Sequence, residues 1–225
     1  MIVGKQKPFE EIRDIIKDYK KVLVLGCGTC VAICLAGGDK EASILSLSLS
    51  MAEKVDGNEK EISDYTIQRQ CEHEFLAELD EKVKDVDAVL SLACGIGVQA
   101  VAERFPEIPV LPGLNTTFLG FPRQHGTWVE FCSACGDCIL DQTGGICPLT
   151  RCTKGLLNGP CGGTNNGKCE VDPEKDCAWT LIYKQLEKQG KLDLMRKYYS
   201  PRNFQAVIRP GKVTAEQGGE DGKVV

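Results

Sequence analysis

The sequence predicts an α/β protein: a small open parallel sheet, then an irregular cysteine-rich metal-binding module, then C-terminal helices. Three observations carry this. Helical and strand patterns alternate up to about residue 120. Of 13 cysteines, five lie before residue 132 and eight lie between 132 and 177. That second stretch is rich in Gly, Asn, Thr and Pro and has almost no periodic apolar pattern. The expected spans are 1–121 for the α/β domain, 122–199 for the cysteine-rich module with its helices, and 200–225 for an extended tail.

Phe9, Ile12, Ile15, Ile16 and Tyr19 recur at helical spacing after Pro8, which suits a helix start. Lys21–Leu25 is a short buried strand. Gly26–Cys30 is a tight turn, and a short helix runs from there to the Gly37-Gly38 pair, a good C-terminal stop. Asp39 can cap a second helix reaching about Val55, a stretch too long for an ordinary strand. Asp56-Gly57-Asn58 is a turn and Glu61–Ile67 a strand. Cys71–Val83 is helical, with Phe75, Leu76, Leu79 and Val83 on one face. Ala88–Leu92 is a strand, Val98–Phe105 a helix and Pro109–Leu111 a last short strand. Trp179–Glu187 and Leu192–Tyr199 carry apolar faces, and from Ser200 onward the chain is Gly- and Lys-rich without a core pattern, as in an arm or disordered segment.

In an open parallel sheet, ligands gather at the carboxyl ends of the strands. Cys27 and Cys30 follow the first strand, Cys71 the second and Cys94 the third, so these four thiols are expected to converge on one metal site. Cys34, four residues beyond Cys30, can share its helical face and substitute as a ligand. Helix N-termini at these places favour thiolate over thiol. The bland reading of any one of these cysteines is a small buried hydrophobe. Gly26-Cys27-Gly28 opens like the dinucleotide fingerprint of a Rossmann-like sheet, but Val31 stands where its third glycine belongs, which argues against nucleotide binding.

Cys132, Cys135 and Cys138 form C-x-x-C-x-x-C, the run that grips three corners of a cubane cluster in bacterial ferredoxins. There the fourth cysteine follows three residues on; here Cys147-Pro148 comes later, and Cys152, Cys161, Cys169 and Cys177 follow. Eight thiols match two four-cysteine centres, and spacing does not choose how they divide. Zinc, which also takes four cysteines, is the rival ion and can fill one of the sites. Disulfides are the weakest reading: the number is odd, and Met1–Lys21 is charged throughout with no secretory signal. No apolar run is long enough to span a membrane, so the protein is expected in the cytoplasm.

A net charge of −5 and 6% aromatic content argue against nucleic acid as a partner. His73 and His125 are the only histidines, and Asp137 and Asp141 suit capping or solvent better than catalysis. Asn115-Thr116-Thr117 reads as a polar turn. No catalytic constellation assembles. A single activated thiol is the remaining enzymatic idea.

Several segments resemble one family. Phe131–Cys138, Thr143–Pro148, Leu157–Gly163, Gly167–Glu170 and Cys177–Trp179 look like the C-terminal cysteine-rich domain of the MetV family. Gly26–Cys30 and Arg69–Cys71 also look like MetV, so the resemblance covers nearly all of the chain before the tail. MetV is the small subunit paired with the flavoprotein MetF in methylenetetrahydrofolate reductases of acetogens and related anaerobes. The resemblance implies an iron–sulfur subunit in one-carbon metabolism that docks on a flavin-bearing reductase and passes it low-potential electrons. A further electron-donor subunit or ferredoxin would supply them. The expected cofactors are [4Fe–4S] clusters, two in the C-terminal module and one in the first domain. The alternative is a zinc-stabilised interaction subunit with no redox role.

Overall fold

The computed structural model describes residues 1–207 and 209–213. It divides into two compact units, Met1–Cys132 and Ser133–Val225. In chain order the first unit holds β1 (Ile2–Gln6), α1 (Phe9–Ile15), β2 (Lys21–Cys27), α2 (Cys30–Ile33), α3 (Asp39–Val55), β3 (Glu61–Ile67), α4 (His73–Leu76), β4 (Ala88–Ser91), α5 (Gly95–Arg104), β5 (Val110–Pro112), β6 (Leu114–Gln124) and β7 (Thr127–Cys132). The second holds α6 (Pro148–Arg151) and α7 (Ala178–Lys188).

The α/β expectation holds. Four parallel strands are ordered β3-β2-β4-β5. Central β2 is buried from Val22 to Cys27, as a parallel strand covered on both faces must be. Its alternate side chains serve two cores. Val22 and Val24 join Ile12, Ile16, Leu45 and Leu49 on one face. Leu23 and Leu25 join Ile67, Leu76, Leu79 and Val101 on the other.

Several elements differ from expectation. α2 is a single turn that stops before Leu35, which takes a left-handed φ of 54°. The chain must then pass close to the end of β4: a Cβ on Gly37 would lie 2.0 Å from the Leu92 carbonyl oxygen. α3 is capped one residue earlier than Asp39, at Gly38, whose N–H donates to Glu41 Oε2 at 3.0 Å. The Cys71–Val83 helix is only α4 and a 3₁₀ turn, Ala77–Leu79, yet Leu76, Leu79 and Val83 are still buried. Burial there does not require a continuous helix.

The antiparallel sheet β1-β6-β7 was not expected. Its long strand β6 contains Asn115–Thr117, so that segment is strand rather than turn. Polar, largely exposed residues hide β6 from a hydrophobic pattern. β6 and β7 are joined by His125-Gly126, with Gly126 at φ 77° in a tight hairpin. This hairpin belongs to the first unit, which ends at Cys132.

The second unit is mostly turns. Its hydrophobic core is Trp179, Ile182 and Leu186 on α7, flanked by partly buried Ile146, Cys152, Leu156 and Cys177. Trp179 Nε1 donates to the Leu156 carbonyl at 3.0 Å. Leu192–Met195 forms a 3₁₀ turn. Of the expected tail, residues 200–207 and 209–213 are described and include a 3₁₀ turn at Phe204–Ala206; 208 and 214–225 lie outside the described residues. Among the described residues no helix is long and apolar enough to cross a membrane.

Candidate metal centres

In the first unit, Cys27 is the last residue of β2, Cys71 follows the end of β3, and Cys94 occupies the N-cap position of α5 after β4. Burial pushes the Cys71 thiol up, and negative charge on Cys27 and Cys94 pushes it further, so the three sulfurs lie within electrostatic reach. The shift runs opposite to the expected helix-terminus effect. The reason is local: α4 is one turn long, and burial with the neighbouring thiols outweighs the nearby Arg69 charge. A metal held by Cys27, Cys71 and Cys94 would stabilise their thiolates.

Sequence reading missed what holds these strand ends together. Gln70 is fully buried. Its Nε2 donates to the Leu25 and Gly26 carbonyls at 2.9 and 3.1 Å, and its Oε1 accepts from Ser91 Oγ at 2.6 Å. One amide therefore ties the Arg69–Cys71 turn to β2 and β4. A buried amide satisfied on both sides is costly to lose. Gln70→Leu should destabilise the first unit by roughly 2–4 kcal/mol, since it leaves buried groups unpaired. Chemical denaturation monitored at the first unit checks this; an unchanged midpoint contradicts it.

Cys30 opens α2 and is half-buried. Cys34 is buried, accepts from the Gly4 N–H at 3.4 Å, and donates toward the Val31 and Gly4 carbonyls at 3.5 and 3.6 Å. Burial pushes its thiol up. Its sulfur is thus engaged with the backbone of β1 and α2.

In the second unit, Cys152, Cys161, Cys169 and Cys177 line one cavity, with about 340 Å³ of free space including its mouth. Cys152 ends α6 and Cys177 caps α7. The backbone N–H of Val171 holds the Cys169 thiol down, helped by Thr153 and the Asp172 N–H. Burial pushes Cys177 up, but bonds from Thr180, Thr164 and the Trp179 N–H outweigh it and the net shift is down. Gly163 N–H donates to Cys161 Sγ at 3.4 Å. Lys154 and Glu170, paired with each other, stand beside Cys161. Amides and hydroxyls aimed at sulfur are what thiolate ligands require. Trp179 walls the same cavity, so the small core and the thiols share one framework.

Cys132 closes β7, while Cys135, Cys138 and Cys147 lie in the loops that open the second unit. Arg202 donates from Nη2 to the carbonyls of Cys135 and Asp137 at 2.6 and 3.1 Å. Burial pushes the Cys135 thiol up, yet Arg202 and the Asp137 N–H bring it below its ordinary value. Arg202 is held charged chiefly by its bond to Cys135, against burial, with smaller help from Asp137 and Cys147. Arg202 sits in the expected tail, where nothing in the local pattern marked it.

Among the described residues, no three or more His, Cys, Asp or Glu side chains are gathered closely enough to grip a single metal ion. The donors nevertheless fit a soft metal: they are sulfurs throughout, and the one carboxylate on the cavity wall, Glu170, is engaged by Lys154.

Residues 111–205 match a protein family described as methylene-tetrahydrofolate reductase C terminal. The match begins in β5, takes in β6 and β7, and runs through the second unit to Gln205, so it includes all eight clustered cysteines and Arg202. It leaves out the parallel sheet up to β4 and covers less than half of the chain. No curated protein and no solved structure matches the chain. The cysteine-rich part of this protein is thereby linked to the methylenetetrahydrofolate reductases, through a domain of their C-terminal type.

Proposed function

We propose that the chain is an iron–sulfur electron-transfer and scaffold subunit of a methylenetetrahydrofolate reductase, of the MetV kind, acting in the cytoplasm. It passes electrons to the flavin of a MetF-type catalytic subunit and receives them from a further donor subunit or a ferredoxin. The observation that carries this reading is the cavity ringed by Cys152, Cys161, Cys169 and Cys177, with backbone N–H groups turned to its sulfurs. The three-cysteine run Cys132, Cys135 and Cys138, with two residues between neighbours, is what favours iron–sulfur over zinc.

The eight clustered cysteines then divide into two fours. One centre takes Cys152, Cys161, Cys169 and Cys177. The other takes Cys132, Cys135 and Cys138, by the spacing of the run, with Cys147, which the first four leave over. Cys27, Cys30, Cys71 and Cys94 make a third centre, and Cys34, bonded to β1, is left as a structural thiol.

When bound, the clusters supply one-electron carriers. The chain's own residues do the rest. Cys177 presents its sulfur at the first turn of α7, where the helix amides favour negative charge. Val171, Asp172, Trp179, Thr180 and Gly163 spread the charge of the thiolates into N–H···S bonds. Trp179 excludes water from one side.

The test is electron delivery. The anaerobically prepared chain, reduced with dithionite and freed of excess reductant, is mixed with a MetF-type flavoprotein in a stopped-flow cell. Bleaching of the flavin, with reoxidation of the chain's visible absorption, is the expected result. Tight binding without any flavin reduction refutes the redox role and favours a purely structural subunit.

A further inference from the structure

The second unit holds another cavity, lined by no cysteine and about 330 Å³ in volume. That size is at the lower end for small-molecule sites and suits one ring system with a short substituent rather than a dinucleotide. Its walls come from Trp179 of α7 and from loops within 139–143, 157–160 and 194–199. Trp179, Tyr198, Tyr199 and Met195 all face it. Part of the wall is fixed before any ligand arrives. Trp179 is tied through Nε1 to the Leu156 carbonyl, and buried Thr143 donates from Oγ1 to the Ile139 carbonyl at 3.2 Å. Aromatic rings and a thioether select a flat aromatic guest. The amides of Gln142 and Asn158 add donors and acceptors that suit the edge of a heterocycle. Lys197 is the sole charged side chain on the wall, and no carboxylate lines the cavity to neutralise it. Its Nζ stands 5.8 Å from the centre of the Tyr199 ring. Tyr199 also carries a buried hydroxyl with no hydrogen-bond partner among the described residues, a donor that a ligand acceptor can satisfy.

We propose that this cavity binds a planar heteroaromatic ring that carries an anionic substituent, the chemistry of a mononucleotide. The ring lies among Trp179, Tyr198 and Tyr199, and Lys197 meets the anion. Trp179 walls the thiol cavity as well, so a ring seated here shares one side chain with the thiols. The site goes beyond the electron-transfer reading and does not depend on which metal the cysteines hold.

The experiment is equilibrium dialysis of the full chain, prepared without oxygen and with its metal content measured, against flavin mononucleotide and adenosine monophosphate. Riboflavin and adenosine are the uncharged counterparts. Saturable binding of one mononucleotide per chain, tighter than its uncharged counterpart, is expected, and the two nucleotides distinguish a three-ring from a two-ring guest. Tyr198 is 82% exposed and Lys197 is also exposed, so neither substitution below removes a core residue. Tyr198→Ala should weaken the nucleotide and its uncharged counterpart alike, by about tenfold. Lys197→Gln should weaken the nucleotide about fivefold and leave the uncharged counterpart unchanged. No saturable binding of either nucleotide overturns the proposal, as does binding that neither substitution weakens. Equal loss of charged and uncharged ligands in Lys197→Gln overturns the anion subsite. Each of these results is read on protein of known metal content, so it is distinct from a chain that carries no iron, which counts against the cluster reading alone.

Discussion

If the proposed clusters are bound, removing them should unfold the second unit and spare the first. Among its described residues the second unit buries three large apolar side chains as a core, Trp179, Ile182 and Leu186. The first buries two clusters on opposite faces of a four-stranded sheet. A module with so little apolar burial needs covalent or metal cross-links to offset its chain entropy. Its cysteines form no disulfide among the described residues, so on the cluster reading metal binding supplies the missing folding free energy. After chelation under reducing conditions, hydrogen exchange should become complete within seconds across α6, α7 and the loops that carry Cys161 and Cys169. Amides of β2 and β4 should keep their protection. Full protection of α7 in metal-free protein would contradict this.

The second large effect concerns which cysteines act together. Ligands of one centre fail as a unit, so their losses are not additive. Cys169→Ser and Cys177→Ser should each remove about four irons and four sulfides per chain. The double variant should lose no more than either single. Pairing Cys169→Ser with Cys138→Ser should remove about eight irons, because the two residues serve different centres. Additive loss within the first pair, or a shared loss in the second, would show that the eight cysteines divide otherwise.

Much of the parallel sheet was legible because its signals are local. β3 lies where Glu61–Ile67 predicts it, and α3 ends at Val55 as the length of its stretch led one to expect. The placement of Cys27, Cys71 and Cys94 after successive strands was legible for the same reason, since parallel topology dictates where strand ends fall. The antiparallel sheet was not legible. β6 presents polar side chains to solvent and earns its place by pairing with β1, which lies over a hundred residues away in sequence and has no distinguishing pattern of its own. Tertiary hydrogen bonds were invisible for a related reason. Gln70 and Arg202 look like ordinary surface residues until the backbone carbonyls they bind are brought to them. The partition of the eight thiols depends on how turns close around a cavity, and cysteine spacing carries no record of that.

The most direct test of the central claim is the inorganic content of the chain. Protein prepared without oxygen is assayed for iron, acid-labile sulfide and zinc, with visible absorption recorded before and after dithionite. The account predicts iron and sulfide in equal amounts, about eight of each from the eight clustered cysteines and about twelve with the third centre filled, and a broad absorption that bleaches on reduction. Cys34→Ala should leave those amounts unchanged. A colourless chain that carries zinc and no sulfide would contradict the account.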